Sequence, residues 1–188
     1  MRHHLVSLCV ALALFITAGE AVAVEIAADR IMLPPEQREF QSPNGHFALA
    51  FSTADHWKTP RGSAGLYRLR AANRQLIWKR ELPHHHGPRK VLVSDQGTVL
   101  FADEWINVPS RYALTLIGPD NHLLASYSVE QVFAVLGVAL REITAHAKLG
   151  PWIGSGPDLS LDGKYALIKA GGRTLKVHLS DGKLSAHD

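Results

Sequence analysis

Apolar and polar positions alternate along most of this chain, and the alternation restarts three times after the same kind of turn. "SPNGHFAL" begins at Ser42, "SDQGTVLF" at Ser94 and "SLDGKYAL" at Ser160. Each has a serine, two residues, a glycine and then an alternating run. Glycine supplies positive φ at a tight turn, and period-two alternation marks a half-buried strand. A second element recurs downstream: "LRAANRQL" (69–76), "LIGPDNHL" (116–123) and "VHLSDGKL" (177–184), with apolar ends seven positions apart. Asn73, Asp120 and Asp181 fall at one place between those ends. Asn and Asp favour turns because they tolerate left-handed backbone and bond their own main chain. Each unit predicts strand, connection, strand, tight turn, strand. Only the connection varies, and "TADHWKTPRGSAG" is the longest.

Three such antiparallel meanders predict a mainly β protein, either an incomplete propeller-like body or a sandwich-like one. One segment breaks the alternation. "SVEQVFAVLGVALREITAHA" opens with Ser128 and has Gln131 three residues on, the pattern of a capping box. Val129, Val132, Phe133 and Leu136 follow at helical spacing. This predicts a helical insertion between the second and third units, over about 129–147, with Gly137 dividing it in two. The β-repeat domain is expected over 42–188, after an N-terminal arm over 24–41 that is mobile or strand-like. "GSG" (154–156) reads as a flexible approach to the third unit.

The stretches "VSDQGTVLFADEW", "YALTLIGPDNHLLASYSVEQVF" and "PWIGSGPDLSLDGKYALIKAGGRTLKVHLSDGKL" resemble a loose family of uncharacterised secreted bacterial proteins with propeller-like β repeats. The resemblance covers about two thirds of the chain beyond its first segment. It implies the repeated sheet and no activity. The triple histidine at 84–86 is not part of the family's pattern.

Composition adds a destination. Residues 1–23 have a basic start at Arg2, an apolar run from Leu5 to Ala18, and Ala21-Val22-Ala23 as a cleavage site. They read as a signal peptide, which implies a periplasmic or secreted protein. Its removal leaves roughly 165 residues, enough for one domain with its own core. The single cysteine, Cys9, lies within that segment, so no disulfide and no thiol chemistry are expected afterwards. No later stretch is long and apolar enough to span a bilayer as a helix. The formal net charge of +3 is scattered along the chain, without the clustered basic face of a nucleic-acid binder. A weak attraction to anionic cell-surface polymers fits that charge.

Candidate chemistry begins with "PHHHGP". On extended backbone His84 and His86 share a side, and a His-x-His pair suits zinc, copper or nickel. A third ligand would come from His46, His56, Asp103 or Glu104; the alternative is an exposed loop rich in histidine. Asp103 and Glu104 are adjacent on a predicted strand and face opposite ways. They read as a strand end with one acid capping a loop rather than as a catalytic dyad. Glu142 and His146 are four apart on a helix, as in an ordinary surface pair. Ser155 lacks the G-x-S-x-G elbow, and no Walker loop or dinucleotide fingerprint occurs. Trp78 is expected in the core, and Trp105 and Trp152 as lids upon it. Trp57 lies in the long loop near Arg61. The pair suits a partner or glycan surface, or else Trp57 anchors its own loop.

These readings favour a non-catalytic extracytoplasmic binding or scaffolding module for an envelope protein or glycan. The alternatives are a periplasmic transition-metal binder using His84 and His86, and a hydrolase whose loops sequence alone does not assemble.

Overall fold

The computed structural model describes residues 32–71, 73–106, 110–146 and 152–188. The expected signal segment and residues 24–31 of the expected arm lie outside them. The protein is mainly β, with three antiparallel four-stranded sheets and a short helical insertion. The first sheet is β1 (Gln37–Gln41), β2 (Phe47–Thr53), β3 (Gly62–Arg70) and β4 (Asn73–Leu82). The second is β5 (Pro88–Val93), β6 (Val99–Glu104), β7 (Leu114–Ile117) and β8 (Leu123–Tyr127). The third is β9 (Ser155–Leu159), β10 (Tyr165–Ala170), β11 (Arg173–His178) and β12 (Leu184–His187). Within each sheet the strands neighbour one another in chain order. Among the described residues the sheets form neither a closed barrel nor a closed propeller.

The repeated Ser-x-x-Gly is one turn made three times. The Gly45, Gly97 and Gly163 N–H groups donate to the carbonyls of Ser42, Ser94 and Ser160 at 2.9, 3.0 and 2.9 Å. All three glycines have positive φ. Each serine hydroxyl also accepts from the strand beyond, at Phe47 N–H (3.0 Å), Thr98 N–H (3.0 Å) and Tyr165 N–H (2.9 Å). A side chain that can both accept and donate ties the two arms of the hairpin together.

The sheets have one strand more than the predicted meanders, and it is the first of each: β1, β5 and β9. They lie upstream of the Ser-x-x-Gly turns, where alternation is short and broken by proline or glycine. Residues 37–41 of the expected arm are therefore an integral strand, fully paired with β2 from Gln37↔Ser52 to Gln41↔Ala48. Ser155 and Gly156, expected in a flexible approach, open β9. Asn73 is not a turn residue either. It begins β4 and pairs with Arg70, whereas Asp120 and Asp181 do occupy their turns.

The insertion forms as its pattern predicts. Helix α1 (Val129–Leu136) has the capping box: the Ser128 hydroxyl accepts from Gln131 N–H, and the Gln131 side chain accepts from Ser128 N–H. Gly137, left-handed at φ 63°, ends it, and α2 (Leu140–His146) follows. Val129, Val132 and Leu136 bury one face against the second and third sheets.

The second sheet is the centre of the protein, and every residue of β6 and β7 is buried. Successive β6 side chains point opposite ways. Val99 and Phe101 join Phe47, Leu49, Phe51 and Leu66 of the first sheet, while Leu100 and Ala102 join Ala166, Ile168, Leu175 and Val177 of the third. Two apolar layers result, one on each face of the middle sheet. Trp78 and Trp152 lie buried in the first and second layers respectively. Both clusters draw on β5 and β6, so these two strands are held from both sides.

Candidate functional site

The three histidines do not lie on extended backbone. His84 to Gly87 form a turn closed by the Gly87 N–H to the His84 carbonyl (3.2 Å), and His86 is left-handed at φ 57°. The turn sends the rings to different places. His84 is fully buried between Phe101 and Tyr112, with ring centroids 5.7 and 5.6 Å away. His86 lies against Trp57 at 5.4 Å, and His85 is the exposed member. The shared side expected for His84 and His86 is therefore not present. Among the described residues no group of three His, Cys, Asp or Glu stands close enough together to hold an ion. Burial holds the His84 imidazole down at about 3, so it is neutral at physiological pH, and neither ring nitrogen reaches hydrogen-bond geometry with a described residue.

Trp57 is not a surface residue. It is 7% exposed, stacks on Phe51 at 5.9 Å, and donates from its indole to the Pro34 carbonyl at 2.8 Å. Here the aromatic anchors its own loop. Arg61 is exposed, 3.6 Å from Glu81, and borders hollows of about 500 and 680 Å3 on the edge of the first sheet. The structure does not bring it together with Trp57 on one open face. The Glu142–His146 pair falls partly outside the described residues, because the His146 side chain is not among them. The Glu142 carboxylate accepts from Ala139 N–H at 3.3 Å, closing the start of α2.

The feature the sequence did not disclose is a cleft where the first strands of the three sheets come together. β5 lies against β1 on one side and β9 on the other. The cleft holds about 500 Å3, and its lining includes Arg38 and Phe40 of β1, Arg89 and Lys90 of β5, Trp105, and Pro157 and Asp158 of β9. That volume is within the range of small-molecule sites. Each repeat thus contributes the strand that its Ser-x-x-Gly motif does not mark.

Arg38 is the most constrained cation here. Its guanidinium sits over the rings of Phe40, Phe51 and Trp105 at 5.7, 4.8 and 5.3 Å. Nε and Nη2 are buried with no hydrogen-bond acceptor, and no carboxylate lies within ion-pair distance of the group among the described residues. Burial lowers its pKa to about 10, which leaves it charged at neutral pH. Gly87 makes room for it. A Cβ there would meet the Phe51 ring and stand 3.0 Å from Arg38 Nη2, and φ is +75°.

Arg89 is committed elsewhere. Its guanidinium donates to the Glu104 and Trp105 carbonyls at 3.3 and 2.5 Å, and stands 3.6 Å from the Asp103 carboxylate. Asp103 is 1% exposed and left-handed at φ 61°, a conformation Asp tolerates better than most residues. Burial pushes its carboxyl up to about 6 against the pull of Arg89. The buried Trp152 indole is directed toward that carboxylate but stops short of hydrogen-bond geometry. Glu104 faces the other way and accepts from His85 N–H at 2.8 Å, so one acid caps the histidine turn and the two form no dyad. Beneath the cleft, then, Arg89, Asp103 and Glu104 tie the end of β6 to the turn before β5. The rim keeps Arg38 and Lys90.

A comparison with protein-family models gives no match to this chain, and a comparison with curated proteins gives none.

Proposed function

We propose that this is an extracytoplasmic, non-catalytic binding module whose ligand or partner occupies the cleft formed by β1, β5 and β9. One observation carries the reading: strands from all three repeats converge on a single concavity, lined by cations and by Trp105. Binding sites sit where a rigid scaffold brings separate segments together, and the doubly buried middle sheet supplies such a scaffold. Among the described residues β4 borders hollows of about 500 and 680 Å3, but their lining comes from the first sheet, its long loop and the histidine turn, without Trp, Tyr or Phe. An envelope glycan or protein remains the partner class this location supplies. The resemblance to secreted β-repeat proteins and the signal-like start support the compartment.

The reading is testable without knowing the partner. The only cysteine of the chain is Cys9, in the segment expected to be removed. Asp158→Cys places a thiol in the cleft without removing a cation, and Lys176→Cys places one on the outer face of the third sheet, between buried Leu175 and Val177. Asp158 is exposed and Lys176 half-buried, so each position is compared only with itself in the two settings. Maleimide labelling is measured in intact cells and on purified protein. Protection of the Asp158 position in cells, with none at Lys176, is the expected result. Equal labelling in the two settings at both positions overturns the reading.

A further inference from the structure

The charge inventory of the cleft is unbalanced in a way that specifies its ligand. Lining it are the cations Arg38, Arg89 and Lys90 and a single acid, Asp158. Arg89 already satisfies two carbonyls and faces Asp103. Arg38 and Lys90 have no carboxylate at ion-pair distance among the described residues. A buried guanidinium without an anion costs free energy that aromatic contacts only partly offset. The protein nevertheless holds Arg38 in one place, wedged among three rings and against the open flank of Gly87. A cation fixed before the ligand arrives loses little side-chain entropy on binding, and guanidinium geometry matches planar carboxylate or tetrahedral phosphate oxygens.

We propose that the cleft binds an oxyanion, a carboxylate or phosphate carried on a ligand of small-molecule size, between the Arg38 guanidinium and the Lys90 ammonium. Trp105 and Pro157 form the apolar walls beside it. This inference rests on the cleft being the binding site. It adds the chemistry that the ligand must present.

The test is a titration of the purified chain with inorganic phosphate, with a triuronate bearing three carboxylates, and with neutral maltotriose. The readouts are tryptophan fluorescence and the Arg38 Nε–Hε resonance. At least one of the two anions is expected to bind with submillimolar affinity while maltotriose does not. Phosphate alone binding identifies the free or ester phosphate as the source, and triuronate alone identifies an acidic saccharide. Arg38→Gln and Lys90→Gln should each weaken that binding at least about tenfold, and Lys176→Gln should leave it unchanged. Lys90→Gln alters a half-buried strand residue that packs in neither core, so it remains informative if Arg38→Gln disturbs the fold. Binding of neither anion overturns the inference, as does binding that survives both substitutions. If Asp158→Cys is protected in cells while neither anion binds, the cleft reading stands and the oxyanion inference falls.

Discussion

At the scale of single residues, two buried titratable groups, His84 in the turn before β5 and Asp103 on β6, pull stability in opposite directions. His84 is held at about 3, well below its unfolded value of 6.5. Its contribution is present above pH 6.5 and is lost as pH falls toward 3. Asp103 is raised from 3.8 to about 6, so its contribution is present below pH 3.8 and is lost as pH rises through 6. Between about pH 4 and 6 each slope is roughly 1.4 kcal/mol per pH unit, and the two cancel. Urea denaturation of the protein should therefore show little change over that window from these groups. Asp103→Asn, which keeps a residue tolerant of left-handed backbone, should lose on the order of 2–3 kcal/mol between pH 6 and 4. His84→Leu should gain stability over the same window. Curves parallel to the parent in both variants would show that these shifts are absent. A second residue-scale expectation concerns Gly87. Gly87→Ala forces a Cβ into Phe51 at φ +75° and should cost roughly 1–3 kcal/mol, read by the same denaturation.

At the scale of elements, the capping box of α1 and the three Ser-x-x-Gly turns were legible because each is a local arrangement of a few residues. Ser128→Ala removes one cap acceptor and should cost about 1 kcal/mol. The inner strands were not legible. β1 has five residues and Phe40 is its only apolar one, while β5 and β9, of six and five residues, carry Pro88, Gly156 and Pro157 and show no regular alternation of burial. Period-two reasoning needs an apolar face against a polar one, which β1 offers in a single side chain and β5 and β9 lack. The expected arm gives a direct check. A chain beginning at Ser42 lacks β1, and so exposes Phe51 and the rings that carry Arg38. It should lose several kcal/mol of stability or fail to fold, whereas a dispensable arm predicts an unchanged denaturation midpoint.

The histidine triplet shows the same limit one scale down. Its chemistry was visible in the sequence, but its backbone was not. A turn between Pro83 and Pro88 sends consecutive side chains to a buried aromatic cage, to solvent and to Trp57, and separates the pair that extended backbone would have aligned. Trp57 followed the same course. Its neighbours are polar, yet its own ring closes the first apolar layer.

For the molecule as a whole, the mainly β class, the threefold repetition and the helical insertion all followed from the pattern, since repetition needs only self-similarity. The cleft did not, because its lining residues lie in segments far apart in sequence and no local motif joins Arg38, Lys90 and Pro157. Its position is a consequence of the layer order. A middle sheet buried on both faces brings β5 between β1 and β9, and the three inner strands then share one concavity.

Site-specific photocrosslinking in cells tests whether that concavity is the protein's working surface. A benzophenone amino acid is placed at Asp158 in one strain and at Lys176 in another, and the cells that make the protein are irradiated. Covalent adducts from position 158 and none from position 176 are expected. Adducts confined to position 176 would contradict this, and would place the working surface on the outer face of the third sheet.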